Sequence, residues 1–126
     1  MLKVAVYGKG GIGKSTVTSN LAAAFAIWET CQFRSDANPK ADSTINLLGG
    51  EPLRPVMNYM REEDEEPDEL AQISKEGYGG ILCIETGGPT PGTWLCGAWN
   101  YCDFFSFLKI WNYSNIINPM WFCMMY

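Results

Sequence analysis

The stretch that decides the fold is Gly8-Lys9-Gly10-Gly11-Ile12-Gly13-Lys14-Ser15-Thr16, close to the start of the chain. It matches G-x-x-x-x-G-K-[ST], a pattern typical of loops that hold phosphate groups. The apolar run Val4-Ala5-Val6-Tyr7 precedes it, and a helix-like run from Thr16 to Ala26 follows it. A buried strand, a glycine-rich loop and a helix in this order predict an α/β P-loop fold, a parallel sheet with flanking helices.

Each residue type in this loop has a physical reason to be there. Glycines lack a Cβ and tolerate positive φ, so backbone N–H groups can turn toward a polyphosphate, and the following helix points its positive end at the same anion. Lys14 is expected to reach the terminal phosphates, and the Ser15 hydroxyl is expected to coordinate Mg²⁺. The candidate nucleotide-binding residues are Gly8, Lys9, Gly10, Gly11, Ile12, Gly13, Lys14, Ser15 and Thr16.

Lys9 makes the loop more specific, because most phosphate-binding loops have no lysine directly after the first glycine. The pattern G-K-G-G-[IV]-G-K-[ST] resembles the deviant Walker A group, whose members work as dimers with nucleotide between the subunits. The resemblance implies that Lys9 reaches across to the nucleotide of the partner subunit. The alternative is that Lys9 is a solvated charge of the loop.

The composition and net charge of the chain exclude several classes of function. The chain has 126 residues, 47% of them hydrophobic and 18% charged, which indicates a globular fold rather than disorder. A formal net charge of −5 argues against non-specific nucleic-acid binding. We see neither a signal peptide nor an apolar run of about 18 residues, so we expect a cytoplasmic protein outside the membrane. Five cysteines and no histidine indicate thiols that are free or metal-bound in a reducing compartment, and exclude histidine-dependent triads.

Hydrophobic periodicity predicts a short series of elements along the chain. Trp28 to Arg34 lacks the apolar pattern of a strand, and the acidic run from Glu62 to Glu69 is interpreted as a solvated loop and helix start. From Trp94 onward no helix or strand period persists. The predicted elements are a strand over 2–7, a helix over 14–27, a polar loop over 38–44, short helices over 53–60 and 70–76, a turn over 77–80 and a strand over 81–85.

Three segments together resemble one family: Gly8–Thr16, Pro39-Lys40-Ala41-Asp42-Ser43-Thr44, and Gly77-Tyr78-Gly79-Gly80 through Glu85-Thr86-Gly87-Gly88-Pro89-Thr90-Pro91-Gly92. In this order and spacing they are similar to the nitrogenase iron protein and its relatives, including ATP-dependent reductases of tetrapyrrole biosynthesis. The resemblance covers residues 1–93, the N-terminal part of such a domain. Residues 94–126 form an aromatic-rich tail without it.

The resemblance implies a homodimer that binds two MgATP and holds one [4Fe-4S] cluster between its subunits. ATP hydrolysis would drive electron transfer to a larger electron-acceptor protein. By position, Lys9, Lys14 and Asp42 are the candidate catalytic residues, with Asp42 in the first switch segment and Ser15 as the Mg²⁺ ligand. Cys83 matches a family cysteine that is not a cluster ligand, so it is interpreted as a buried strand thiol.

The chain also departs from the family pattern. Asn38 stands where the family has an aspartate that senses nucleotide, and an amide cannot act as a base. Leu95 stands where the first cluster cysteine is expected, with Cys96 one residue away. A shared cluster needs two thiolates from each subunit. We therefore do not expect this chain to hold the cluster, and we interpret it as an inactive fragment of an electron-transfer component.

A reading-frame hypothesis accounts for these departures. Gln32–Ala37 can be back-translated so that a shifted frame reads Ile-Gln-Ile-Gly-Cys, the strand and switch residues that the family has there. One inserted base before the family's Gly-Cys-Ala-Gly-Arg-Gly likewise gives Trp94–Tyr101. We therefore expect residues from about Ile27 to Ala37, and all of 94–126, to be out-of-frame translation.

Two other function classes stay open. The first is a non-redox P-loop ATPase of the partitioning or division-site class, which shares the early lysine but lacks the loop Gly87–Gly92 leading to a cluster cysteine. The second is a non-enzymatic chain that binds phosphate weakly or aggregates. Within the resembled family the electron acceptor is also open, between nitrogenase, a chlorophyll-type reductase and a nickel-tetrapyrrole cyclase.

Overall fold

A computed structural model describes residues 2–28, 31–36, 40–64, 67, 69–87 and 120–124 of the chain. In this part, five strands form one sheet in the order β1-β5-β2-β4-β3, accompanied by two α-helices. Short 3-10 turns cover Leu70–Gln72 and Tyr78–Gly80. The strands and helices are β1 (Leu2–Val6), α1 (Lys14–Ile27), β2 (Cys31–Asp36), α2 (Val56–Glu63), β3 (Ser74–Glu76), β4 (Leu82–Glu85) and β5 (Met120–Met124).

The parallel strands have their carboxyl ends at one edge of the sheet. β5 pairs in parallel with β1 and with β2, and β2 pairs in parallel with β4. β3 is antiparallel to β4. Four parallel strands therefore end at the same edge, at Val6, Asp36, Glu85 and Met124, where α/β folds usually bind their ligands. The α/β P-loop fold predicted from the sequence is confirmed.

Alternating side chains of β4 connect two hydrophobic clusters. Cys83, with Ile81 just before the strand, packs on the α1 side, where the buried members are Ala22, Ala26, Leu47, Leu48, Ile81 and Cys83. Ile84 packs with Val56 and Ile73 on the α2 side. Successive strand residues point to opposite faces of a sheet, and both faces of β4 are covered, as expected for a strand inside a largely parallel sheet.

Several predicted elements are confirmed, and one is wrong. Strands form at β1 and β4, α1 covers 14–27 as predicted, and the short helix predicted over 53–60 lies at Val56–Glu63. The helix predicted over 70–76 is a single 3-10 turn followed by β3. The Ser74 hydroxyl donates to the Leu70 carbonyl at 2.7 Å, a local bond that competes with helix continuation, and pairing with β4 then extends the chain.

Two strands form where hydrophobic periodicity predicts no element, one within residues 28–36 and one after Trp94. Cys31–Asp36 and Met120–Met124 are both interior strands of the sheet. Backbone pairing requires only that neighbouring strands offer their N–H and C=O groups, so β2 forms without an apolar period. Its polar residue Arg34 is 1% exposed, and its side chain is held by hydrogen bonds rather than apolar contact.

The acidic side chains of this run that the structure describes are exposed, as predicted, but Glu62 and Glu63 form the end of α2 rather than a loop. Glu62 and Glu63 are exposed at the end of α2 and accept hydrogen bonds from Arg54 at 2.5 and 3.0 Å. The bond to Glu63 is the largest cause that raises the pKa of Arg54. Neither helix in the described ranges is long and apolar enough to cross a bilayer.

Gly77 is required for steric reasons, and its replacement gives a test of the packing between two loops. A Cβ at Gly77 would lie 2.7 Å from the Leu47 carbonyl oxygen and 3.3 Å from the Cys83 sulfur. Gly77→Ala is therefore expected to lower the free energy of unfolding by about 2 kcal/mol, measured by urea denaturation.

Gly49→Ala is the matched control for that prediction. A Cβ at Gly49 meets nothing within 4 Å, and the only cost arises from its φ of +70°. That cost is about 1 kcal/mol. Equal destabilisation by the two substitutions would show that the contact between Gly77 and Leu47 is not tight.

Candidate functional site

The candidate site is built on the loop between β1 and α1. Gly13 immediately precedes α1 with φ +91°, a left-handed conformation that favours glycine. A Cβ built on Gly13 or on Gly11 would meet nothing within 4 Å, so the space beside the loop is open. No side chain of the described residues caps the start of α1. The first N–H groups of a helix lack partners within the helix, which makes this end a place for an anion.

Lys14 brings a positive charge to the same place. It is the first residue of α1 and only 9% exposed, and its Nζ donates to the Lys9 carbonyl oxygen at 2.8 Å. The lysine side chain therefore lies folded across the loop rather than extended into solvent. Lys9 itself is exposed, as is Ile12 at the loop tip.

A second segment approaches the loop from the β2 side. The Ser15 and Ser43 hydroxyl oxygens lie 3.2 Å apart, close enough to share a hydrogen bond. Ser43 is 1% exposed, whereas the adjoining Asp42 is exposed. Hydroxyl and carboxylate oxygens are ligands suited to a hard cation such as Mg²⁺. Ser43 is not among the site residues predicted from the sequence. Its hydroxyl, next to Asp42 in the predicted switch segment, could have indicated a role in the site.

The Arg34 side chain connects α1 to this second segment by hydrogen bonds. One guanidinium nitrogen, Nη1, donates to the Ser19 hydroxyl at 3.0 Å and to the Ser43 carbonyl oxygen. The other, Nη2, donates to the Thr18 hydroxyl at 3.2 Å. Thr18 in turn donates to the Lys14 carbonyl at 2.7 Å, so the guanidinium is two hydrogen bonds from the loop's lysine.

Glu85 contacts the same segment from β4. This last residue of β4 is fully buried, and its Oε1 accepts the backbone N–H of Thr44 at 2.6 Å. Neither Arg34 nor Glu85 was identified as functional from the sequence. The sequence shows each of them only as a charged residue within a strand. Such a residue can be interpreted only once the order of the strands in the sheet is known.

The structure brings some of the predicted site residues together and leaves others undescribed. Lys9 lies in the loop, Lys14 and Ser15 begin α1 directly after it, and the segment containing Asp42 contacts Ser15 through Ser43. Asn38 and the predicted cluster position at Leu95 and Cys96 lie outside the described residues.

Cys83 is fully buried, and its thiol donates to the Ile81 carbonyl oxygen at 3.7 Å, so the prediction of a buried strand thiol is confirmed. Within the described ranges, no three His, Cys, Asp or Glu side chains come together as a metal site. Cys83 is enclosed by the α1-side core, and the position where the family resemblance predicts a cluster ligand, at Leu95 and Cys96, lies outside the described residues. The open loop with its lysine and serine does fit a magnesium–nucleotide complex.

Among solved structures, the fold is similar to the kinase domain of the Escherichia coli tyrosine kinase ETK. The TM-score is 0.67 with 19% sequence identity, over 98% of this chain and 46% of that one. At this identity the likeness shows the fold alone, and it supports the P-loop assignment.

Sequence comparisons identify the family. The chain is 47% identical over 96 residues to nitrogenase iron protein 3 of Clostridium pasteurianum, and 48% identical over 96 residues to nitrogenase iron protein 2 of Rhodobacter capsulatus. Each match covers 75% of this chain and 35% of the relative, so the chain spans about a third of the length of these relatives. A family profile matches residues 2–118. The chain therefore belongs to the NifH/frxC family of 4Fe-4S iron–sulfur cluster binding proteins.

Proposed function

We propose that this chain binds MgATP at the loop between β1 and α1. The observation that carries the proposal is the joint position of the Lys14 side chain, the open N-terminus of α1 and the Ser15–Ser43 hydroxyl pair. Lys14 would contact the terminal phosphates, and the loop's N–H groups would surround them. Ser15 would coordinate Mg²⁺, with Ser43 beside it and Asp42 on the same segment.

The wider function that we propose follows the family. In this proposal, the parent protein is a cytoplasmic, homodimeric, ATP-dependent electron-transfer component of the nitrogenase reductase type, which delivers electrons to a larger protein. Lys9 would contact nucleotide across the dimer. The family match, over residues 2–118, favours this class over the partitioning-type ATPases.

The [4Fe-4S] cluster enters this proposal only through the family. When bound, such a cluster supplies one-electron chemistry. The Cys83 side chain is buried in the core and would not reach it. Because Leu95 stands where the first cluster cysteine is expected, we propose nucleotide binding, and not electron transfer, as the activity of the 126-residue chain.

Thermal unfolding with and without MgATP tests the proposal. Ligand at about 100 times its dissociation constant should stabilise the chain by about 2.7 kcal/mol. Ser15→Ala should raise the dissociation constant for MgATP about tenfold and leave that for ATP in EDTA unchanged, because only the metal ligand is lost.

Ser74→Ala is the matched control. It removes the same hydroxyl group from the first residue of β3, where the hydroxyl donates to the Leu70 carbonyl and not to the phosphate-binding loop. Its MgATP affinity should equal that of the unmodified chain. Absence of any stabilisation by MgATP would overturn the proposed function. Equal losses in magnesium and in EDTA for Ser15→Ala would show that Ser15 contacts phosphate rather than the metal.

A further inference from the structure

Two buried side chains, Arg34 and Glu85, form hydrogen bonds with opposite ends of one peptide group. The Ser43 carbonyl oxygen accepts a hydrogen bond from Arg34, and the N–H of Thr44, in the same peptide group, donates to Glu85 at 2.6 Å. We propose that Arg34 and Glu85 form a charge clamp on the Ser43–Thr44 peptide, which holds the Ser43 hydroxyl beside Ser15 before any nucleotide binds. The clamp itself is a property of the ligand-free chain, and its consequence for nucleotide sensing rests on the proposed nucleotide site.

The strength of the clamp comes from charge and burial together. The partial negative charge of the peptide oxygen faces the guanidinium, and the partial positive charge of the N–H faces the carboxylate. Hydrogen bonds with one ionised partner are about twice as strong as neutral ones. Arg34 is 1% exposed and Glu85 is fully buried, so water screens neither bond effectively.

Both charges are anchored on rigid parts of the fold. Arg34 lies on β2, inside the sheet, and is bonded to α1 through Thr18 and Ser19. Glu85 ends β4, the neighbouring strand. The peptide is thus fixed relative to the helix that begins at the phosphate-binding loop.

The turn that follows this peptide, over residues 44–47, is also fixed by hydrogen bonds. The N–H of Leu47 donates to the Thr44 carbonyl at 2.9 Å, and the Leu47 carbonyl accepts the N–H of Tyr78 at 2.8 Å. Residues 44–47 are therefore attached to the start of the turn before β4 and, through Glu85, to the end of that strand. The segment has fixed points at both ends.

This arrangement has a consequence for nucleotide sensing. Segments that respond to nucleotide do so because the γ-phosphate orders them, and hydrolysis releases them. A ligand shifts a conformational equilibrium only by its difference in affinity for the two states. Because the clamp already fixes Ser43, ATP and ADP would meet the same position of this segment. The site should bind nucleotide without moving residues 43–47.

Amide hydrogen exchange followed by NMR on the full chain tests the clamp without nucleotide. The Thr44 amide should be protected in the ligand-free protein. Arg34→Met keeps the side chain's length and removes its charge, and should lower that protection about tenfold or more relative to the Ala22 amide inside α1. Glu85→Gln keeps an acceptor oxygen without charge, and should lower it by roughly three- to tenfold. Arg34→Lys should retain most of the protection.

Two exposed ion-pair residues provide matched controls. Arg54→Met and Glu51→Gln make the same chemical changes at the surface, where Arg54 faces Glu62 and Glu51 faces Lys75. Neither should alter Thr44 exchange. If Thr44 and Ala22 change by the same factor in all clamp variants, or if Lys and Met at position 34 behave alike, the charges do not hold this peptide and the clamp is excluded.

Nucleotide is added in the second half of the experiment. MgATP and MgADP should protect Thr44 equally, within about twofold, in the unmodified chain. Tenfold greater protection by MgATP would exclude a segment that is fixed in advance. If neither nucleotide changes the exchange of the loop amides at Gly13 and Lys14, the proposed nucleotide site fails, while the ligand-free comparison still decides the clamp.

Discussion

Lys14→Ala is expected to raise the dissociation constant for MgATP about 100-fold, which corresponds to roughly 2.7 kcal/mol of lost binding free energy. The Lys14 ammonium lies across the loop and is bonded to the Lys9 carbonyl, so it needs little rearrangement to face a phosphate. Its removal leaves the helix N-terminus as the main positive element of the site. Calorimetric titration of the folded variant measures the effect.

Lys75→Ala is the control for that substitution. Lys75 is an exposed lysine of β3 that pairs with Glu51, and its loss should leave the affinity unchanged. Similar affinities for Lys14→Ala and the unmodified chain would mean that phosphate does not occupy this loop. The folded state of each variant can be checked by circular dichroism before titration.

Ile84→Ala is expected to lower the free energy of unfolding by about 2–5 kcal/mol. Ile84 is fully buried on β4 and packs with Val56 and Ile73, so truncation removes buried methyl groups and leaves a cavity beneath α2. A loss of this size is a large fraction of the stability of a typical domain. Urea denaturation followed by fluorescence measures it.

The same substitution at the surface separates burial from residue type. Ile27 is 69% exposed at the end of α1, and Ile27→Ala should change stability by about 0.5 kcal/mol or less. If Ile84→Ala cost no more than Ile27→Ala, the α2-side cluster would contribute little to the stability of the fold.

The loop and α1 could be predicted from the sequence because their determinants are local. Glycines at fixed spacing before Lys14 define the turn, and the helix begins directly after Gly13. The sheet could be predicted only in part, because β2 carries no apolar period and because β5, a five-residue apolar run, pairs with strands that are distant in the chain. The division of the chain at residue 93 and the reading-frame hypothesis are not tested by the described residues and stay predictions.

The site was predictable to the extent that it depends on one motif. Lys14 and Ser15 follow from the motif itself, whereas Ser43 depends on how a second segment approaches the loop. Arg34 and Glu85 could not be found, because a charged residue in a strand has a meaning only when its partner atoms are known. Here the partners are the two ends of one peptide group, a relation that no residue pattern expresses.

The position of β5 has a consequence for how the chain folds. β1, which carries the phosphate-binding loop, is joined to the other described strands through β5, and Leu2 pairs with Met120 across almost the whole chain. Contacts between residues so far apart in sequence require the closure of a long loop, which slows folding. The loop's support is thus completed late, after residues 120–124 have left the ribosome. Until then, the edges of β1 and β2 stay open to pairing with other chains, and aggregation competes with productive folding.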